Sequence, residues 1–443
     1  MKQRLSLQNI IGMGFMVFAM FLGAGNLIFP PLAGQMAGTS VWQAAAGFLV
    51  TGVGLPLLGV VVISRVGGGF NEITRELPKW LIIAMGSFIF LVIGPLYAVP
   101  RTAMVAYEVG MVPFLDAPDT LSRLIFSLVF FVICAYLCLN PGRLLESVGK
   151  IITPALIILL TVLGLSPVLS PQGTPSKATD PYSENPFLTG FLEGYMTMDA
   201  LAALLFGIVI ITNLRSHGIT STRALFRHSV VTGFIAAIGL TLVYVSLFYL
   251  GATSRDIAPN PDNGGQILSI YVDTLFGTPG KSLLAGVVTL ACLTTAIGCI
   301  TAAAEYFDDV FKQFSYRPLV IAITASCIAF ANLGLNQIIE LFIPVLLILY
   351  PVCIVLILLG LIRDLFANPT LVYRSTLLIA LVFSTIDAVK EIQHPFIQLV
   401  TSSCKMLPGF DANLGWVLPC ALCVLVTGIM GKLITPEPVK DNL

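Results

Sequence analysis

Charge is what this sequence has least of. Only 10% of its 443 residues are Asp, Glu, Lys or Arg, and their signs cancel to a formal net charge of zero. An ordinary soluble domain is about 25% charged. No long run of like charge occurs, so nothing points to nucleic acid or an acidic macromolecule as a partner. Histidine is nearly absent: His217, His228 and His394 are scattered without metal-ligand spacing. No glycine-rich phosphate loop is found, which argues against a self-contained ATP-driven pump. There is no coiled-coil pattern and no segment polar enough for a separate soluble domain. Rival classes suffer from the same shortages. A membrane sensor would need a signalling domain that the short connections cannot supply, and an enzyme would need a nucleophile–base pair or metal triad inside the apolar spans.

What fills the chain is apolar. Hydrophobic residues make up 57% of it, and the mean hydropathy is +0.94. Stretches of about 18 or more apolar residues recur from end to end, the mark of a polytopic membrane protein. They predict an all-α fold with twelve spans near 8–33, 41–63, 80–107, 122–139, 147–169, 187–213, 228–251, 282–305, 318–335, 337–362, 371–389 and 413–433. The first run is too long, and too interrupted by Asn26, Pro30 and Pro31, for a signal peptide, and reads as an uncleaved first helix. Of the nine cysteines, Cys420 and Cys423 form a CxxC pair, but in a hydrophobic run without a second pair they read as small packing residues.

Cation placement orients the spans. With both termini cytoplasmic, the inner side holds Lys2, Arg4, Arg65, Arg75, Lys79, Arg143, Lys150, Arg215, Arg223, Arg227, Lys312, Arg317, Arg363, Arg374, Lys432 and Lys440. Only Arg101, Arg123, Lys177, Arg255, Lys281, Lys390 and Lys405 remain outside. That asymmetry is the positive-inside pattern. The polar, proline-rich stretches 170–179 and 258–265 fall outside and read as loops.

Two spans are interrupted. The first carries Gly23-Ala24-Gly25-Asn26 and then Pro30-Pro31; the sixth carries Gly194, Tyr195, Thr197 and the carboxylate Asp199. Broken backbone is tolerated at membrane depth only where it is buried in protein or lines a polar cavity. An acidic residue there costs at least about 2.5 kcal/mol, so it should face the interior. Spans 1 and 6 are five apart, and repeats of five helices must be inverted because five is odd. Paired breaks in inverted repeats point to a secondary transporter with its site between them. The repeats would cover about 8–169 and 187–362, with accessory helices at about 371–433. The eighth span adds two adjacent hydroxyls, Thr294 and Thr295. Hydroxyls and freed carbonyls can hold a small hard cation without a formal charge.

Arg101 and Glu108, near the outer end of the third span, read either as gate residues or as interfacial snorkelling residues, and snorkelling is the reading adopted. Asp199 has three open roles: bonding a substrate ammonium, carrying a proton-linked step, or holding the broken segment through backbone amides.

The motifs Phe21-Leu-Gly-Ala-Gly-Asn-Leu-Ile-Phe-Pro-Pro31, Gly94-Pro-Leu-Tyr-Ala-Val-Pro-Arg-Thr-Ala103 and Glu193-Gly-Tyr-Met-Thr-Met-Asp-Ala-Leu-Ala-Ala203 resemble those of the bacterial branched-chain amino acid carrier family. The likeness runs along essentially the whole chain. It implies a LeuT-type fold of five-plus-five inverted helices with helices 1 and 6 broken, and import of leucine, isoleucine or valine with a sodium ion across the bacterial inner membrane. Carried over by motif, the cation site comprises Ala19, Leu22, Ala291, Thr294 and Thr295. The substrate site comprises Phe21, Gly23, Ala24, Gly25, Asn26, Tyr97, Tyr195, Met196, Thr197, Met198 and Asp199. The carboxylate would meet the half-helix amides at 24–26 and the ammonium the carbonyls freed near Phe21, Tyr195 and Met196. Met196, Met198, Ile93, Tyr97, Leu293 and Ile297 are candidates to line an apolar pocket for the side chain. The resemblance leaves open a proton in place of sodium, with Asp199 or Glu108 as its carrier, and leaves the oligomeric state unspecified.

Overall fold

The computed structural model describes residues 5–139, 157–390, 392 and 394–434. The start of the fifth predicted span and the cations Lys2, Arg4, Arg143, Lys150 and Lys440 lie outside them. Among the described residues the regular structure is entirely helical. Nine helices there are long and apolar enough to cross a membrane, and three shorter apolar ones, Leu7–Phe21, Ile157–Leu169 and Tyr316–Ala331, accompany them.

The chain opens with α1 (Leu7–Phe21) and α2 (Ala24–Ala37), separated by a two-residue break. The Ser6 hydroxyl caps α1 by accepting from the Asn9 amide at 3.2 Å. The second helical hairpin element combines α3 (Val41–Leu49) and α4 (Leu55–Val66) through a π turn at Val50–Gly54, and a short α5 (Phe70–Ile73) follows. Helices α6 (Lys79–Leu91) and α7 (Ala98–Gly110) form the third predicted span, kinked where Gly94 leaves helical geometry before Pro95. Then come α8 (Thr120–Leu139) and α9 (Ile157–Leu169). A second interrupted pair, α10 (Pro186–Glu193) and α11 (Asp199–Ser216), is joined by a 3₁₀ turn at Gly194–Thr197. The rest is α12 (Thr222–Ala252), α13 (Gly264–Val310), α14 (Tyr316–Ala331), α15 (Leu335–Ile362), α16 (Pro369–Val389), α17 (Pro395–Cys404) and α18 (Val417–Ile434).

Three local outcomes differ from the sequence reading. Pro30 and Pro31 do not interrupt α2 but lie inside it; they remove two amide donors from a helix otherwise held by its neighbours. The eighth predicted span begins earlier, at Gly264, where Asn263 caps the helix by accepting from the Gln266 amide at 3.2 Å. A bend at Gly277, whose φ is +60°, separates this entry segment from the apolar stretch behind it.

The bundle closes through glycines. On α2 and α12, a Cβ at Gly34 would lie 2.0 Å from the Phe248 carbonyl oxygen, and one at Gly251 would lie 1.9 Å from that of Pro31. The same reciprocity joins α3 to α10: a Cβ at Gly47 would lie 1.9 Å from the Phe187 carbonyl oxygen, and one at Gly190 would lie 2.0 Å from that of Ala44. Lipid chains are as apolar as leucine, so burial in the bilayer offers helices little hydrophobic reason to associate, and close backbone packing at small residues supplies the attraction. These crossings clamp α2 and α10, the two helices that lead to the breaks. Farther out, α16 packs on α15 and α18 on α16; Leu425 and Ile429 of α18 are more than half exposed, facing where lipid would lie.

At one end of the bundle the Glu76 carboxylate staples the loop after α5 to α15 and α16. It accepts from Arg363 at 2.6 and 3.1 Å and from the Thr370 hydroxyl at 2.7 Å. Partial burial pushes this carboxyl up, but the hydrogen bonds from Thr370 and Arg363, with the charges of Arg363 and Arg75, outweigh it and hold it below the usual carboxylate range.

Two predictions follow from these contacts. Gly251→Ala and Gly190→Ala each place a methyl group against backbone that cannot yield, and lower the thermal midpoint of the purified protein in detergent by the equivalent of about 1–3 kcal/mol. Gly286→Ala, where a Cβ meets nothing within 4 Å, leaves it unchanged or slightly higher. Glu76 has a depressed value in the folded state, so its stabilisation is complete above the unfolded value of about 4.3 and fades as pH falls through the lower folded value. Glu76→Gln therefore lowers the midpoint at neutral pH, and the gap to wild type closes in acid; a gap independent of pH would contradict the assignment.

Candidate functional site

Helix α1 ends because Leu22 turns to ψ 86° and Gly23 is extended, with φ −104° and ψ −172°. The Gly23 amide, which would close the next rung onto Ala19, bonds instead to the Phe21 carbonyl at 2.9 Å and to Asn26 Oδ1 at 3.1 Å. The Ala19 carbonyl thereby loses its helical donor. Asn26, third residue of α2, reaches back to the residue before the helix, one half of a capping box.

The second interruption is satisfied in a similar way. The Thr197 hydroxyl donates to the Gly194 carbonyl at 2.9 Å and accepts weakly from the Asp199 amide at 3.4 Å. Met198 sits in the left-handed region with φ +66°, a conformation costing a non-glycine residue about 1–3 kcal/mol. Tyr195 stacks on Tyr350 with ring centroids 4.4 Å apart, and its buried hydroxyl has no hydrogen-bond partner among the described residues.

One polar cluster ties the breaks together. Asp199 Oδ2 accepts from Asn26 Nδ2 at 2.7 Å and from the Tyr244 hydroxyl at 2.7 Å, and Asn26 Nδ2 also donates to the Tyr244 oxygen. All three side chains are buried, with Asp199 only 2% exposed. The Asp199 carboxylate thus bonds side chains of α2 and α12, where the sequence reading offers backbone amides as its partners.

Arg101 occupies a position opposite to the snorkelling expectation. It is 3% exposed, and its Nη1 donates to the Met196 carbonyl at 2.6 Å and to the Tyr97 hydroxyl at 3.0 Å. The guanidinium lies over the Tyr97 ring at 4.7 Å and the Phe29 ring at 5.4 Å. A Cβ on Gly25 would sit 2.8 Å from Nη2. The Met196 carbonyl is thus engaged by arginine. An arginine at membrane depth costs at least about 2.5 kcal/mol and marks function by default, which is the signal that could have identified it. Tyr244 gave no such signal, being one aromatic in an apolar span.

On α13 the Thr294 and Thr295 hydroxyls both donate to the Ala291 carbonyl, at 2.8 and 3.0 Å. The Thr295 methyl lies 3.7 Å from where a Gly23 Cβ would be, so the eighth-span hydroxyl pair does sit beside the first break. Ala24, Gly25, Met196, Ile93, Tyr97 and Ile297 are buried around the same region. Tyr97 is stacked on Phe342 at 5.0 Å. Among the described residues no group of three or more His, Cys, Asp or Glu forms a metal cluster.

The cluster generates a coupling prediction. Tyr244→Phe removes a donor from a buried carboxylate and costs about 1.5–3 kcal/mol, lowering the thermal midpoint by a few degrees. In an Asp199→Asn background the same change costs distinctly less. Equal costs in the two backgrounds, measured by thermal unfolding, would show that the two groups are not coupled.

Comparison with known proteins places this geometry. A family model described as branched-chain amino acid transport protein matches residues 6–434. The chain is 45% identical over 426 residues to the branched-chain amino acid transport system 2 carrier protein of Pseudomonas aeruginosa, covering 96% of this chain and 97% of that one. It is 41% identical over 432 residues to the branched-chain amino acid permease BrnQ of Escherichia coli K12, covering 98% of each. Among solved structures, MhsT in complex with L-phenylalanine superposes with a TM-score of 0.55 at 13% identity, over 94% of this chain and 98% of that one. That likeness identifies the LeuT-type fold. A multi-pass helical membrane protein with two broken helices cross-linked at a buried polar cluster, matched along nearly all its length, the chain belongs to the branched-chain amino acid transport protein family and is a transporter, not an enzyme.

Proposed function

We propose that this protein is a sodium-coupled symporter that imports leucine, isoleucine or valine across the bacterial inner membrane by alternating access, with both termini cytoplasmic. Its membrane domain comprises twelve spans, two inverted five-helix repeats at about 8–169 and 187–362 with two accessory helices at about 371–433. The observation that carries the reading is the meeting of two helix breaks beside the Thr294–Thr295 hydroxyl pair. The names of the relatives supply the substrate class.

The cation is held by the carbonyls of Ala19, Leu22 and Ala291 and the hydroxyls of Thr294 and Thr295. Each hydroxyl spends its proton on the Ala291 carbonyl and so turns oxygen lone pairs outward, the polarity a cation requires. The substrate lies against Phe21, Gly23, Ala24, Gly25 and Asn26 from one break and Tyr195, Met196, Thr197, Met198 and Asp199 from the other, with Tyr97 at its side. Its branched side chain is received by the apolar groups among these. Sodium and substrate stabilise one occluded state, so each raises the affinity for the other. The membrane potential adds about 2.3 kcal/mol per charge for each 100 mV.

A proton is the competing driver, because Asp199 is a buried carboxylate at the centre of the site. Uptake of labelled isoleucine into proteoliposomes separates the two. An imposed sodium gradient should drive accumulation, and Thr295→Ala should reduce it at least about tenfold, the loss of one ligand worth about 1.4 kcal/mol or more. Uptake driven by the proton gradient alone would remove sodium and move Asp199 or Glu108 to the centre of the mechanism. An absence of gradient-driven uptake for all three amino acids would overturn the substrate assignment.

A further inference from the structure

Arg101 is a cation whose hydrogen bonding is incomplete in one particular direction. Both hydrogen bonds of its guanidinium leave from Nη1, toward the Met196 carbonyl and the Tyr97 hydroxyl. Nε is buried without a hydrogen-bond partner among the described residues. No ion pair to Arg101 is found among the described residues, whose ion pairs all involve other cations. The group is 3% exposed and immobilised by two aromatic faces. A buried charge ordinarily comes with a partner of opposite sign, because solvent cannot compensate it. Here no carboxylate among the described residues forms that direct pair, and the geometry points to where one would bind.

The Nε and Nη2 hydrogens lie along one side of the guanidinium plane, the edge that receives a carboxylate through two parallel bonds. That edge includes the atom that faces Gly25, where any side chain would intrude: an added Cβ would be 2.8 Å from Nη2 and 3.3 Å from the Met196 carbonyl oxygen. Gly25 is the second residue of α2, so the first amides and the positive end of that helix lie close to the same edge. An acidic group in this spot meets a bidentate cation and backbone donors together. The carboxylate of the protein's own Asp199 lies within reach of the Arg101 charge but forms no direct ion pair with it, its Oδ2 accepting instead from Asn26 and Tyr244.

We propose that Arg101 is the receptor for the substrate's carboxylate, which binds across Nε and Nη2 beside Gly25 and supplies that direct pair. This deepens the functional reading above and rests on an amino acid being the substrate. It changes that reading in one respect: helix amides assist in holding the carboxylate, while the arginine provides the charge and the bidentate geometry. The Nη1 bond to the Met196 carbonyl then couples substrate binding to the second helix break, since the residue that grips the carboxylate is the one that holds the turn before Met198.

The test compares isoleucine with isoleucinamide, in which a neutral amide replaces the carboxylate, in binding to purified wild type, Arg101→Gln and Arg101→Lys in detergent with sodium present. Wild type is expected to prefer isoleucine by at least about 30-fold. Arg101→Gln should lose about 100-fold for isoleucine and little for isoleucinamide, so the preference collapses. Arg101→Lys, which keeps the charge but not the fork, should fall between and serves as the test should the glutamine variant fail to fold. Equal weakening of both ligands in a folded variant would make Arg101 a structural brace and overturn the proposal. An undiminished preference for isoleucine in either variant would overturn it equally. Wild type that binds no branched-chain amino acid would overturn both this proposal and the functional reading, an outcome distinct from the other two.

Discussion

In the hydrocarbon interior of a membrane a peptide group that leaves its helix has no water to turn to, and the rest of this structure is arranged around meeting that demand at two places. At the first, Asn26 returns its side-chain oxygen to the Gly23 amide. At the second, Thr197 bridges Gly194 and Asp199, and Arg101 takes the Met196 carbonyl. The side chains that satisfy one break are in turn bonded to the other: the amide nitrogen of Asn26 reaches Asp199. Neither interruption is therefore independent. A rearrangement at one is felt at the other through a single buried cluster, which is the physical link an occluding transporter needs between its two halves.

Packing gives this polar centre its setting. Helix α2 is pinned to α12, and α10 to α3, by glycine crossings at which backbone meets backbone. At these four glycines any added side chain would meet backbone of the neighbouring helix. Met198, held at positive φ just before α11, places a strained residue at the turn between α10 and α11. Rigid crossings outside and a strained turn inside suit a motion in which helices pivot near the site. The Glu76 staple works at the periphery, holding the loop after α5 to α15 and α16.

Much of this was legible. The apolar runs located the helices, because membrane burial imposes length and composition on every span. The breaks were legible because glycine, asparagine and an acidic residue are costly in hydrocarbon unless they serve the interior. What escaped was pairing. Arg101 was read as snorkelling from its place near a span end, since a linear pattern does not show whether a long side chain extends toward the headgroups or folds back against Tyr97, one helical turn away. Tyr244 was invisible for another reason: its partners, Asn26 and Asp199, are distant in sequence, and a lone tyrosine in an apolar run resembles packing. Pro30 and Pro31 were read as part of the break, yet neighbouring helices hold α2 intact through them.

The sequence by itself determined that the chain is a helical membrane protein and that its first and sixth apolar runs carry polar, glycine-containing interruptions. These properties follow from composition over short windows, which the bilayer reads residue by residue. Only the tertiary structure decided that the two interruptions share one hydrogen-bonded cluster, that Thr295 stands beside Gly23, and that the Arg101 guanidinium is buried against Gly25. Those facts depend on which helix faces break each meet, and in a medium that drives no helix together by burial alone, that choice belongs to glycine crossings and buried polar bonds between residues far apart in the chain.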